Sequence, residues 1–246
     1  MKNSLIILAV MLALPFAALR AQTEDEQETV EFQLNDQYSA RLRQICASEY
    51  TARKSESEHL QHKPYKVITD LQEAEKMFGK KMKYLKLLPV SKKDKLYMIG
   101  TEITFKDGTK KRLDLEYGFM AYFPDLNVLL FTGRHESDYP IDLNDSRNVD
   151  MNITGNPYRH AVSPDKQWRI NGLYGGQEGI RYWLEKWNPK RKKYDFLANI
   201  SGINNDITPP FYAHSNWFWT SNSTALFKYG WWEDAGYYEM EIIIND

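Results

Sequence analysis

Three groups of residues in this chain have types and spacing that could do chemistry. Gly133-Arg134-His135-Glu136-Ser137-Asp138 puts a guanidinium, an imidazole and two carboxylates into one short run. His titrates near neutral pH and Glu or Asp can orient it, so His135, Glu136 and Asp138 could move a proton or hold an anion. The spacing does not match the helical His pair of zinc proteases, and no further metal-ligand spacing joins it. The bland alternative is a solvated polar loop, and it is the first reading of this run.

His160 and His214 form the second group. Each precedes an expected strand, and with Asp165 or Asp206 either could act as a general base, but no Ser or Cys stands in an activating motif. Gly172, Gly175, Gly176 and Gly179 do not open a helix, so they read as turn glycines and not as a phosphate loop. No catalytic residue, metal or cofactor is therefore assigned.

The third group is aromatic and carries the main functional expectation. Phe, Tyr and Trp make up 14% of the chain, and all 7 Trp lie after residue 167. Flat amphipathic rings stack on sugars and anchor protein partners. Trp217 and Trp219 share one face of an expected strand, as a stacking platform requires. Trp231-Trp232-Glu233-Asp234 sits between two strands beside acids and is the expected exposed pair. Of the eight rings Trp183, Trp187, Tyr212, Trp217, Trp219, Trp231, Trp232 and Tyr237, most are expected in the core and two or three at the surface.

The elements that must position these residues are strands. Ser163-Pro164-Asp165-Lys166 is turn chemistry, because Pro presets one φ and Asp can bond the backbone after it. It predicts strands over Trp168–Tyr174, Gly179–Asn188 and Tyr194–Ile200. The middle one carries large apolar groups on both faces and should be central in its sheet. Asp107-Gly108 between alternating runs predicts a hairpin of Lys95–Phe105 with Lys110–Tyr117. Further pairs are Phe119–Phe123 with Val128–Thr132 and Trp217–Ser221 with Thr224–Tyr229, and Tyr237–Ile244 should lie inside a sheet. Gly133–Pro157 shows no periodicity and reads as a long loop.

Helices are expected only early. Tyr38, Leu42, Ile45, Cys46 and Glu49 are spaced by three and four and predict a helix over Asp36 to about Arg53. Tyr65–Ile68 predicts a short strand. Asp70 with Glu73 caps a second helix that ends at Gly79. Lys80–Lys95 contains seven Lys among apolar residues and reads as a solvated strand pair or loop.

Residues 1–21 have a positive end at Lys2, an apolar run over Leu5–Leu14 and small residues at Ala17, Ala18 and Ala21, the pattern of a secretory signal peptide. The run is shorter than the roughly 20 residues a bilayer span needs. Export to the periplasm or the medium of a bacterium is the expectation, with cleavage near Ala21 and a frayed acidic start over Thr23–Glu28. Cys46 is the only cysteine, so the fold must rely on its core and not on an internal disulfide. Formal net charge is −1, and without Lys2 and Arg20 it is −3, which gives no electrostatic case for nucleic acid.

The expected fold is mainly β: antiparallel sheets in a sandwich or in propeller-like repeats, with one or two short N-terminal α-helices. Residues 22–95 form a helix-containing part and residues 96–246 an aromatic-rich β domain. The turns at Pro124-Asp125 and Pro164-Asp165 lie about 40 residues apart, near the length of a propeller blade, and a third recurs at Ser221-Asn222. The Ser-Pro-Asp-Lys turn resembles the turn that opens blades in many propeller proteins, which bears on fold alone. The functional expectation is a non-catalytic binding protein that engages a macromolecule, first a protein partner, in the manner of an inhibitor or immunity protein. Glycan binding by surface tryptophans comes second, and a hydrolase at Gly133–Asp138 third. The expected binding residues are Trp217, Trp219, Trp231, Trp232, Glu233, Asp234, His135, Glu136 and Asp138.

Overall fold

The computed structural model describes residues 29–78, 82–91, 96–114, 118–133, 136–146, 154–201, 217–229 and 236–245. The expected signal peptide, the acidic start over Thr23–Glu28, the helix stop at Gly79 and the run Tyr212–His214 lie outside the described residues. The fold is mainly β, and the described residues form two α-helices and four antiparallel sheets.

Taken along the chain, the first sheet is β3 (Met82–Ser91), β4 (Leu96–Thr104) and β5 (Lys110–Asp114). The second is β6 (Gly118–Phe123), β7 (Val128–Thr132) and β8 (Asp138–Asp142). The third holds β9 (Ala161–Val162), β10 (Trp168–Tyr174), β11 (Ile180–Asn188) and β12 (Lys193–Asn199) in that order. The fourth holds β13 (Phe218–Trp219), β14 (Thr224–Tyr229) and β15 (Gly236–Ile244), extended by β2 (Tyr38–Ile45) and β1 (Thr29–Asn35). Each of the three recurring turns joins two consecutive, paired strands, β6 to β7 at 124–127, β9 to β10 at 163–167 and β13 to β14 at 220–223.

The Asp107-Gly108 hairpin forms as its turn chemistry dictates. Gly108 takes φ +85°, a left-handed value that costs glycine little, and the Asp107 carboxylate accepts the Thr109 N–H at 2.8 Å. The second helix, α2 (Leu71–Phe78), starts where Asp70 Oδ1 accepts the Glu73 N–H at 2.8 Å.

Three expectations are corrected. Tyr38–Ile45 is a strand, and helix α1 begins only at Ala47 and runs to Glu56. Asn35 Oδ1 accepts the Gln37 and Tyr38 N–H groups, turning the chain into a hairpin, and β2 then pairs with β15 from Tyr38↔Ile244 to Ile45↔Tyr237. Residues on both sides of position 95 thus share one sheet. The expected loop Gly133–Pro157 contains β8, which carries Pro140 on an edge strand, where a missing N–H is tolerated. Of Tyr65–Ile68, only Ile68 makes a bridge, to Tyr122.

Strand alternation sorts the core. Trp168, Ile170, Tyr182 and Leu184 of the third sheet pack with Tyr38, Leu42, Trp219, Phe227 and Met240 of the fourth. β7 is buried on both faces: Leu129 and Phe131 join Ile103, Phe105 and Ala74, while Val128 and Leu130 join Phe123. The opposite face of the third sheet, with Arg169, Asn171, Glu185 and Trp187, is turned toward the second sheet.

Candidate binding cleft

A cleft of about 1130 Å³ opens between the second and third sheets. Its floor is the Arg169–Glu185 pair. Arg169 Nε donates to Glu185 Oε2, and Oε1 accepts from Trp183 Nε1 at 2.9 Å and Asn171 Nδ2 at 3.1 Å. Burial works against the Arg169 charge, but the Glu185 carboxylate, with Tyr65 and Tyr194 adding, holds the guanidinium above its ordinary value. A shift in register between Leu184 and Glu185 on the β12 side places Glu185 opposite Phe196, a bulge of the kind that re-aims a side chain.

The back wall is the segment 154–160, laid along β10. Thr154 O accepts from Asn171 Nδ2 at 3.1 Å, and the Asn156 N–H donates to Gly172 O at 2.7 Å. Gly155 sits at φ +69°, and a Cβ there would fall 1.8 Å from Asn171 Oδ1, so only glycine lets this segment approach the carboxamide. Asn156 then caps a short 3₁₀ turn over Pro157–Arg159 that delivers His160 into the cleft.

His160 meets the Tyr65 ring edge-on at 5.6 Å between centroids. Both ring nitrogens are buried and lack a hydrogen bond of good geometry, as does Thr154 Oγ1, but the Asn171 side chain lies close enough to the imidazole to interact with it. Burial, then the Arg169 cation, push the imidazole well below its ordinary value of 6.5, with Asn171 opposing and His62 adding. The ring is neutral at physiological pH.

The rim is built by two turns that hold each other. Tyr194 Oη donates to Lys166 O at 2.9 Å, and the Trp187 N–H donates to Gln167 O at 2.8 Å. Lys166 and Lys192 occupy left-handed turn positions at φ +61° and +51°, and they and Lys193 line the opening. Tyr194 is packed under the Arg169 guanidinium, whose carbon lies 4.4 Å from the ring centroid, and edge-on to Trp187 at 5.2 Å. Burial pushes the Tyr194 phenol up to about 12, against the lowering effect of Arg169, so it remains a donor. The facing wall carries Asp125, Asp142, Asn144 and Asp145. Asn144 is fixed by Asp142 Oδ1 and by Asn127 Nδ2 at 2.9 Å.

The sequence-predicted residues are not brought together here. Trp217 and Trp219 do share a face, but it is the inner one: they are 7% and 0% exposed and pack in the core with Phe227, so they form no surface platform. Asp138 is buried at the start of β8, where Oδ2 accepts from Arg159 Nε at 3.1 Å and from the Tyr174 N–H at 2.8 Å, while Glu136 is exposed at φ +61°. Asp138 is thus committed to structure. His135, Trp231, Trp232, Glu233 and Asp234 lie outside the described residues. Among the described residues no group of three or more His, Cys, Asp or Glu side chains could hold a metal, and no helix is long and apolar enough to cross a membrane.

Of the residues singled out as chemically able, His160, Asp165 and, from the aromatic group, Trp187 line the cleft. The rest of the cleft was missed, although one signal was present: Arg169 stands between Trp168 and Ile170, and Glu185 follows Trp183 and Leu184, so each puts a charge beside large apolar groups of a strand. Comparison with protein-family models, curated proteins and solved structures finds no match for this chain.

Proposed function

We propose that the protein is an exported, non-catalytic binding protein that holds a segment of a glycan in this cleft. The observation that supports the reading is the cleft's lining. Aromatic rings at Tyr65, Trp187 and Tyr194 lie among carboxylates, a carboxamide and cations. Ring surfaces suit the C–H faces of sugars, and planar polar groups suit paired hydroxyls; ligand sites in general combine apolar walls with a few convergent polar groups. The volume slightly exceeds the ~300–1,000 Å³ of ordinary small-molecule pockets, which fits a short oligomer. Among the described residues no Ser or Cys lines the cleft.

Titration of oligosaccharides while following tryptophan emission tests the reading. A saturable change, weakened at least ~10-fold by Trp187→Ala with the glycan recovered intact, is the expected result. A broad panel of neutral and acidic glycans that produces no change defeats it. A protein partner, such as an exported enzyme that this chain would inhibit, is the second reading; exposed Phe196 on the cleft rim, 57% accessible, favours it.

A further inference from the structure

β12 is the outer strand of the third sheet, and along its second edge no backbone group pairs with another strand among the described residues. An open edge is a template for one more strand, so its side chains decide what it accepts. From Lys193 to Phe196 the register with β11 is regular, and only then does the extra residue Leu197 enter and pack on the core. Phe196 stands out of this strand with 57% of its surface exposed. The turn that leads into β12 supplies Lys190, Arg191 and Lys192, and the strand opens on Lys193. Four cations therefore follow one another on a chain whose formal net charge is −1. Arg191 is paired with Asp195 at 2.8 Å, and Asn188 Nδ2 donates to the other oxygen of that carboxylate at 2.7 Å. Lys190, Lys192 and Lys193 have no ion pair among the described residues.

We propose that β12 is a docking edge for an extended acidic segment of a partner protein, which joins the third sheet as a further strand. This goes beyond the glycan reading and does not depend on it. Backbone pairing of this kind gives affinity whatever the sequence, and side chains at alternate positions select the partner. Here they select carboxylates, because a cross-strand pair of opposite charge stabilises and one of like charge repels. A second copy of this chain does not fit. Its own β12 brings Lys193 again, and the strand's one carboxylate, Asp195, is already held by Arg191 and Asn188. Lysine on an edge also keeps unwanted strands away, and the repulsion that turns back a basic edge leaves an acidic one as the favoured occupant. Phe196 supplies the apolar anchor that a docked strand covers with a side chain of its own.

The test uses the full chain and a fluorescent peptide of about eight residues with alternating Glu and Val, beside a Lys-and-Val peptide and the acidic peptide N-methylated throughout. Anisotropy is expected to show saturable binding of the acidic peptide, much weaker binding of the basic one, and none of the N-methylated one, which keeps the charges but has lost the backbone donors. Hydrogen exchange should show backbone amides of Lys193–Asn199 newly protected in the complex. Phe196→Ala should lose several-fold in affinity at an unchanged melting temperature, because the ring is mostly exposed. Lys192→Glu combined with Lys193→Glu should lose several-fold as well and move the preference toward the basic peptide. Equal binding of the basic or the N-methylated peptide overturns the proposal, as does protection that falls elsewhere in the chain or the absence of any binding by the acidic peptide. Oligosaccharide titration is a separate measurement, so each of these failures leaves the glycan reading standing.

Discussion

Arg169 and Glu185 face each other in register across β10 and β11, so the ion pair at the base of the cleft is a cross-strand pair of one sheet. Their neighbours in the same register, Ile170 and Leu184, point the other way into the core. A single strand pair thus supplies both a packed face and a charged one. The charge is tolerable because the carboxylate is satisfied by three donors and the guanidinium by the carboxylate and a ring face.

Glu185→Gln should therefore be costly. It leaves a buried guanidinium without its counter-charge, and breaking a buried pair from one side costs about 3–5 kcal/mol. Adding Arg169→Met should recover a large part of the loss, because the stranded charge is gone. Urea denaturation of the two single variants and the double variant measures the coupling; strictly additive losses would show that the pair does not act as a unit.

Gly155→Ala tests how the back wall is seated. The methyl group would meet the Asn171 carboxamide at an impossible distance, and alanine at φ +69° is itself strained. Such positions cost about 1–3 kcal/mol each, and displacing Asn171 would also loosen its bond to Glu185. The expected outcome is a lower melting temperature with saccharide affinity reduced as well, because the segment is the back wall of the cleft. A variant as stable as the parent would mean that the segment can shift without cost.

Where turn chemistry and alternation agree locally, the architecture was legible in the residues. Asp107-Gly108, Ser163-Pro164-Asp165-Lys166 and the Asp70 cap all lead to the elements they predict. Tyr38–Ile45 was not legible, because Tyr38, Leu42 and Ile45 fit a helical stripe while Tyr38, Ala40 and Leu42 fit a strand. The partner that decides between them, β15, lies about 200 residues away. β8 was hidden by Pro140 and by flanking acids that look like a loop. The cleft could not be read from any one window, since it takes residues from the β6–β7 turn, from 154–167 and from 185–196. Exposed or buried was the question that same-face spacing could not answer for Trp217 and Trp219.

Those two rings give a contrast between volume and hydrogen bonding. Trp219 is fully buried and its indole N–H has no partner, so the core uses its bulk and not its polarity. Trp219→Phe keeps an aromatic ring and deletes the unpaired donor, and should cost less than about 1.5 kcal/mol. Trp219→Ala leaves a cavity beneath the fourth sheet and should cost about 3–5 kcal/mol. Thermal melting of the pair checks this, and a large loss in the phenylalanine variant would point to a role for the indole nitrogen.

His160 should leave its mark on the pH dependence of stability. Its imidazole is held well below 6.5 by burial and by Arg169, with His62, Tyr65, Asn171 and Glu185 also packed around the site. The unfolded chain therefore takes up a proton at this residue before the folded one does. The stability that His160 contributes is fully present above pH 6.5 and is lost as pH falls below it toward the folded value, by at most about 1.4 kcal/mol per pH unit for one proton. In His160→Gln that fall between pH 6.5 and about 5 should flatten, while the steeper loss from carboxylate protonation at lower pH remains. If parent and variant unfold along parallel curves through that window, the imidazole is not held neutral, and the ring has a counter-charge beside it when it protonates.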